Sequence, residues 1–316
     1  MDGARRRGAR VPAIAAPTPL EPAPEGITDR REVFLKREDV HELGAFKWRG
    51  ALPTLEEYRA NGASAVVTAS TGNHAAATAW AARRLGLRAL VYVPASASPV
   101  KLALIERFRP DLRLVDGDFD ETKETARRAA EDEGLPFFED GVERAQYDGY
   151  RAIGAEILAQ MDEQPAAIVV PVGNGALLGG IALEICSRSP ETRRIGVVPR
   201  DAPAMAESWE AGHPIESERA ATFADGLAVR IPIPFALDVL GEVVSRMVLV
   251  SERAMAEGIA RFAQVGIRVE AAAAAALAAL TQLDDVPGAV VLVLTGRNID
   301  EETFRRAVER PETFPD

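Results

Sequence analysis

The chain is poor in the residues that most often announce chemistry. It has one Cys, Cys186, in 316 residues, which excludes an internal disulfide and a multi-Cys metal site. Its three His residues, His41, His74 and His213, lie too far apart in sequence for a short-motif zinc site. Lys is scarce. Lys36, Lys47, Lys101 and Lys123 stand against 33 Arg within a combined 37, so a reactive amine has few candidates. No apolar run reaches the length a bilayer needs, and the longest, Ala271 to Leu280, reads as an Ala-rich helix segment. Positive charge is not in excess: the net charge of -11 leaves no basic stripe to neutralise phosphates, which argues against a nucleic-acid partner. The basic start of the chain lacks an apolar segment followed by a cleavage site and reads as a flexible, Pro-rich lead-in. A soluble, cytoplasmic protein without a membrane partner is expected.

What is present is ordinary globular composition, 47% hydrophobic and 27% charged, which excludes a disordered chain. The length suits one large α/β domain or two modest ones. No internal repeat is evident. Short β-like runs alternate with helical patterns, the signature of a parallel sheet flanked by helices. Ser64 to Ala69 reads as a buried strand, with a helix from about His74 to Leu85 stopped by Gly86. Ser98 and Pro99 suit a helix start, and Asp118 or Asp120 a cap for a charged helix running to Glu133. In the second half AAIVVPV, RRIGVVP, MVLVS and AVVLVLTG read as strands. Asp201 to Pro234 reads as loops and short helices, and VEAAAAAALAALTQL as one strong helix. The expected fold class is doubly wound α/β, with ligands at the carboxyl ends of the strands.

Three strands end in loops of small polar residues and Gly: Ser70-Thr71-Gly72-Asn73-His74, Gly173-Asn174-Gly175-Ala176-Leu177 and Thr295-Gly296-Arg297-Asn298. Gly permits close backbone approach, and amides at a helix N-terminus suit an anion. The 173–177 loop is the best phosphate cradle, although a tight strand-to-helix turn explains it equally well. No Walker Lys follows it, and it lacks dinucleotide-site spacing.

Leu35-Lys36-Arg37-Glu38-Asp39, followed by Leu43-Gly44-Ala45-Phe46-Lys47-Trp48-Arg49-Gly50-Ala51, resembles the fold-type II pyridoxal-phosphate (PLP) enzymes, nearest to the threonine/serine dehydratase and serine racemase group. The resemblance covers about Thr18 to Asp300, with four motifs in order. It implies two open twisted α/β domains with the cofactor between them: a large one from 1–50 and 141–316, and a small mobile one from 51–140. It implies that Lys47, after Phe46, carries PLP covalently and that Asn73 bonds the ring oxygen. Gly173, Asn174, Gly175, Ala176 and Leu177 are implied to hold the phosphate, and Thr295 to face the pyridine nitrogen. Asn174 and Ala176 replace Gly, narrowing the cup. Gly175 is expected where a Cβ would crowd the phosphate or demand an unfavourable backbone angle. Glu270 suits either a helix start or a place near the ring.

PLP supplies an electron sink for a carbanion at Cα. Lys47, displaced by substrate, is then the general base on the Cα proton. The substrate carboxylate is expected on Ser70, Thr71, Gly72, Asn73 and His74. The expected activity is β-elimination from a hydroxy amino acid such as L-threonine or L-serine, giving a 2-keto acid and ammonia. Rivals are a threonine-synthase-like or β-replacement enzyme and a non-catalytic PLP-binding protein. Thr71 stands where racemases carry a catalytic Ser; it keeps the hydroxyl and adds a methyl. Asp148-Gly149-Tyr150-Arg151 replaces the family's GQGT segment. Val198 stands where metal-binding members have an acid, so no metal is expected. The chain ends soon after the last motif, which predicts no regulatory domain. The group is commonly dimeric, so a homodimer is expected.

Overall fold

The computed structural model describes residues 16–28 and 31–316; the first fifteen residues of the expected lead-in lie outside the described residues. Strand β1 (Leu20–Pro22) pairs antiparallel with β2 (Val33–Arg37). The chain then turns into helix α1 (Trp48–Ala60) and builds a βαβαβα run: β3 (Ala65–Ala69), α2 (Asn73–Leu85), β4 (Arg88–Pro94), α3 (Pro99–Glu106), β5 (Asp111–Val115) and α4 (Phe119–Glu133). Helix α5 (Arg144–Gln160) leads into β6 (Ala167–Pro171), α6 (Ala176–Arg188), β7 (Arg193–Pro199), α7 (Ala204–Ala211) and α8 (Pro234–Val243). The chain ends through β8 (Arg246–Val250), α9 (Glu252–Gln264), α10 (Ala271–Ala278), β9 (Val290–Leu294) and α11 (Glu301–Glu309).

There are two sheets among the described residues. Six strands lie in the order β1-β2-β9-β6-β7-β8, parallel apart from β1, and three parallel strands lie in the order β3-β4-β5. Every residue of β6 and β9 is buried, as expected for continuous apolar runs covered on both faces. Local signals set the helix ends. Asp118 and Glu121 form a capping box at the start of α4, Ser98 caps α3 with Pro99 behind it, and Gly86 ends α2 in the left-handed region at φ 73°.

Several elements depart from the sequence expectation. The long Ala-rich helix is only Ala271–Ala278, followed by a 3-10 turn over Ala279–Gln282. Residues 271–277 are all buried against the large sheet and α9, so tertiary packing rather than propensity sets its length. Strands β1 and β2 and helices α1, α5, α8 and α11 have no counterpart in that reading. Helix α5 hides its character behind Gly149 and Gly154, which are contact points: a Cβ on Gly149 would lie 1.9 Å from the Arg49 carbonyl oxygen. Helices α1 and α5 therefore touch almost backbone to backbone.

That contact fixes a seam. Phe46 packs into the core of the large sheet, its ring 5.2 Å from that of Tyr150. Two residues on, Trp48 packs into the core of the three-stranded unit beside Trp80. Below the seam, the Arg49 guanidinium donates to Glu38 at 2.8 and 2.9 Å and to Glu156 at 2.7 and 2.8 Å. Lys36 Nζ donates to the same Glu156 at 2.6 Å. Lys47 sits between the two cores on a clamped support.

Candidate active site

The loop at the carboxyl end of β9 is tied both to the segment that carries Lys47 and, through Asn298, to Asn73 of the β3 loop. Two hydrogen bonds stitch the Lys47 segment to the β9 loop: Phe46 N–H donates to the Thr295 carbonyl at 3.0 Å, and Arg297 N–H to the Gly44 carbonyl at 2.8 Å. The Lys47 side chain is 16% exposed, and its Nζ donates to Asp140 Oδ2 at 2.5 Å. Asp140 Oδ1 accepts from Gln146 Nε2 at 3.1 Å and lies 3.5 Å from His74 Nδ1. Burial by itself would raise the Asp140 carboxyl. The charge of Lys47, then that of His74, with hydrogen bonds from Lys47 and Gln146, overrides burial and holds it at about 2.

On the other side of the cleft Glu270 accepts from Asn73 Nδ2 at 3.1 Å and from Thr295 Oγ1 at 3.3 Å. Asn298 Nδ2 donates to Asn73 Oδ1 at 2.8 Å and to the Leu43 carbonyl at 2.8 Å. Burial pushes the Glu270 carboxyl up to about 7, against the hydrogen bonds of Asn73 and Thr295 and the charge of Lys47. Asn73, Thr295 and Glu270 are thus one network, and Glu270 belongs to the site as well as standing before α10. Gly296 is tied to it, since a Cβ there would lie 2.7 Å from Glu270 Oε1.

The 173–177 loop is a turn of free donors. Among the described residues the N–H groups of Gly173, Asn174, Gly175 and Leu177 donate to no protein acceptor. The Ala176 N–H donates to Asn174 Oδ1 at 3.1 Å, so the Asn that replaces Gly closes the turn with its own side chain. Gly175 has φ +92°, so the expected unfavourable angle is present. A Cβ on Gly175 would also meet Leu240 Cδ1 at 2.9 Å, Met205 Cε at 3.2 Å and Ala236 Cβ at 3.3 Å, which are apolar core atoms. Free amides at the start of α6, a Lys amine and the Asn73–Glu270–Thr295 network fit a phosphorylated aldehyde cofactor.

A family profile described as pyridoxal-phosphate dependent enzyme matches residues 12–296. The chain belongs to the pyridoxal-phosphate dependent enzyme family. It is 36% identical over 285 residues to the L-threonine ammonia-lyase of Geobacter sulfurreducens, covering 88% of this chain and 70% of that protein. It is 33% identical over 311 residues to the biosynthetic L-threonine dehydratase IlvA of Pasteurella multocida, covering 96% of this chain and 60% of that protein. The chain thus spans 60% to 70% of the length of these curated relatives. A solved structure of the processed form of threonine deaminase isoform 2 from Solanum lycopersicum superposes with a TM-score of 0.89 at 30% identity, covering 95% of this chain and 89% of that one. PLP is the cofactor of this family, and the sheets and helices are those of its fold. Among the described residues no helix is long and apolar enough to cross a membrane.

The sequence-named residues make the following contacts. Asn73 and Thr295 meet on Glu270, and Thr295 is tied through its carbonyl to Phe46, beside Lys47. Ser70 Oγ accepts from the Gly72 N–H at 3.2 Å, closing its own turn. His74 is buried, its ring Nε2 donating to the Phe138 carbonyl at 3.2 Å, so only its backbone N–H faces the start of α2. Sequence reasoning missed Asp140 and Gln146. Asp140 lies 93 residues from Lys47 outside every motif. A signal was available: the apolar run Leu135 to Phe138 bridges in parallel to β3 through Val67 and Phe137. Glu139-Asp140-Gly141 is therefore one more polar turn at a strand's carboxyl end.

Proposed function

We propose that the protein is a PLP-dependent ammonia-lyase that eliminates the β-hydroxyl of an amino acid such as L-threonine or L-serine, giving a 2-keto acid and ammonia. The observation that carries this reading is the placement of Lys47 at the seam between two cores, stitched through Phe46 to the Thr295 loop. The names of the relatives, threonine ammonia-lyase and threonine dehydratase, support the substrate class.

In this reading Lys47, Phe46, Asn73, Thr295 and the 173–177 loop hold the cofactor, which supplies an electron sink for negative charge at Cα. The loop amides and the positive end of α6 bind the phosphate. Thr295 presents a neutral hydroxyl to the ring nitrogen and offers no charge to keep it protonated. Lys47 takes the Cα proton. The backbone of Ser70, Thr71, Gly72, Asn73 and His74, at the start of the 13-residue helix α2, binds the substrate carboxylate, and the Thr71 hydroxyl stands beside it. The units 1–50 with 141–316 and 51–140 act as large and small domains closing over the substrate. The family's habit supports a homodimer, and the biosynthetic relatives support a cytoplasmic place.

The test is a panel of amino acids given to the holoenzyme, with keto acid and ammonia measured. Keto acid from L-threonine or L-serine is the expected result. A new amino acid formed only with an added nucleophile would replace this reading with β-replacement. Cofactor bound with no response to any amino acid would leave a non-catalytic PLP protein.

A further inference from the structure

We propose that the Asn174 side chain competes with the cofactor's phosphate for the Ala176 amide, so that this chain closes its own phosphate cup and holds PLP less tightly than a cup of free amides would. The inference deepens the reading above, since it rests on residues 173–177 holding the phosphate.

The amides of Gly173, Asn174, Gly175 and Leu177 donate to no protein acceptor among the described residues. The amide of Ala176, in the middle of the run, donates to Asn174 Oδ1 at 3.1 Å. Ala176 is the first residue of α6, where unpaired amides and the helix dipole favour an anion. A donor at the positive end of the helix is therefore occupied by a side chain two residues back. The group that occupies it is a neutral amide oxygen, a weaker acceptor than a phosphate oxygen. A phosphate can displace it, and gives up part of its own binding in doing so.

The side chain is held in this position from behind. A Cβ on Gly141 would lie 2.7 Å from Asn174 Cγ and Nδ2 and 3.1 Å from its Cβ, so Asn174 lies directly over Gly141 and needs a glycine there. That turn is itself anchored: Gly141 N–H donates to Gln146 Oε1 at 2.8 Å, and the Gly141 carbonyl accepts from Tyr147 Oη at 3.0 Å. Asn174 is thus wedged between the start of α6 and the turn that carries Asp140, the partner of Lys47. The amide's orientation follows from Ala176. With oxygen and nitrogen exchanged, Nδ2 would face the Ala176 N–H, donor against donor.

The two effects of this side chain have opposite signs. Its bond to Ala176 satisfies an end amide of α6 and stabilises the apoprotein. Toward a phosphate the same oxygen is a rival acceptor for a donor the anion needs. Truncating Asn174 therefore lowers the stability of the apoprotein and raises its affinity for a phosphate group, whereas truncating a residue that only shapes the loop lowers both. Asn174 is not among the residues at positive φ, so alanine fits its backbone without strain.

The experiment uses the apoprotein of the whole chain and two probes that lack the aldehyde, 4-deoxypyridoxine 5′-phosphate and 4-deoxypyridoxine, with Kd read by calorimetry. Neither can bond covalently to Lys47, so the factor by which the phosphate tightens binding reports the phosphate contact alone. Asn174→Ala and Asn174→Gly should each raise that factor by about 5-fold or more, while the urea midpoint of ligand-free Asn174→Ala falls. Asn174→Asp keeps an acceptor for the Ala176 amide and adds negative charge, and should lower the factor by about 10-fold or more. A factor that is unchanged or smaller in both Asn174→Ala and Asn174→Gly overturns the proposal, and a smaller one makes the side chain a phosphate donor instead. A wild-type factor near 1 that Gly175→Ala leaves unmoved would show that residues 173–177 do not hold the phosphate, and would remove the reading of the cup together with this inference.

Discussion

Replacing Gly175 by Ala tests how the phosphate turn is built. The residue has φ +92°, a region that costs an L-residue about 1–2 kcal/mol. The new Cβ would come within 2.9 Å of Leu240 Cδ1, 3.2 Å of Met205 Cε and 3.3 Å of Ala236 Cβ. Leu240, Met205 and Ala236 are buried at 0%, 1% and 0% exposure, so the contact cannot be relieved into solvent. Overpacking of this kind costs about 1–3 kcal/mol, and the two effects together give about 2–5 kcal/mol. Urea unfolding of the apoprotein measures this without the cofactor. Gly241→Ala is the companion. Gly241 lies inside α8 with nothing near its Cβ position, so that variant should gain about 0.5–1 kcal/mol. PLP retention on dialysis should fall in Gly175→Ala, because the free amides of the turn move with its backbone. A Gly175→Ala apoprotein within about 0.5 kcal/mol of wild type would refute the left-handed turn against Leu240.

Three further outcomes are expected. The Asp140 carboxyl is held at about 2, below its ordinary 3.8, so its pairing with Lys47 stabilises the apoprotein above about pH 4 and is lost as pH falls toward 2; Lys47→Ala should flatten that part of the stability profile in acid unfolding. Glu270 is raised from 4.5 to about 7, so the folded apoprotein binds the extra proton between those values and loses stability as pH rises through them; Glu270→Gln should remove that slope in urea midpoints measured from pH 4 to 8. Thr295→Ser should keep keto-acid formation close to wild type because the hydroxyl remains, whereas Thr295→Asp, placed against Glu270, should cut it by about 10-fold or more; equal activities for the two would remove Thr295 from the ring-nitrogen role.

Much of the fold was legible because its strands are short apolar runs with sharp ends. The residues 193–199 form β7 as read, and the caps at Ser98, Asp118 and Gly86 act where local chemistry placed them. Local rules failed where packing decides. The stretch after Ala278 leaves the α-helix although its residues favour one, and Gly149 looks like a helix breaker until the Arg49 carbonyl is seen against it. Lys47, Asn73 and Thr295 were legible from motifs. Asp140 was not, because a lone acid in a polar turn resembles any solvated loop residue until the parallel pairing beside β3 brings it to Lys47. The direction of a Gly175 Cβ depended on α7, in a region read only as loops and short helices, and on α8, which had no reading in the sequence.

The central claim, that Lys47 is the residue that carries PLP, is tested most directly by borohydride reduction of the holoenzyme followed by peptide mapping. The account predicts a single pyridoxyl-labelled peptide modified at Lys47. A label on Lys36, Lys101 or Lys123, or no label on a protein that retains PLP, would contradict it.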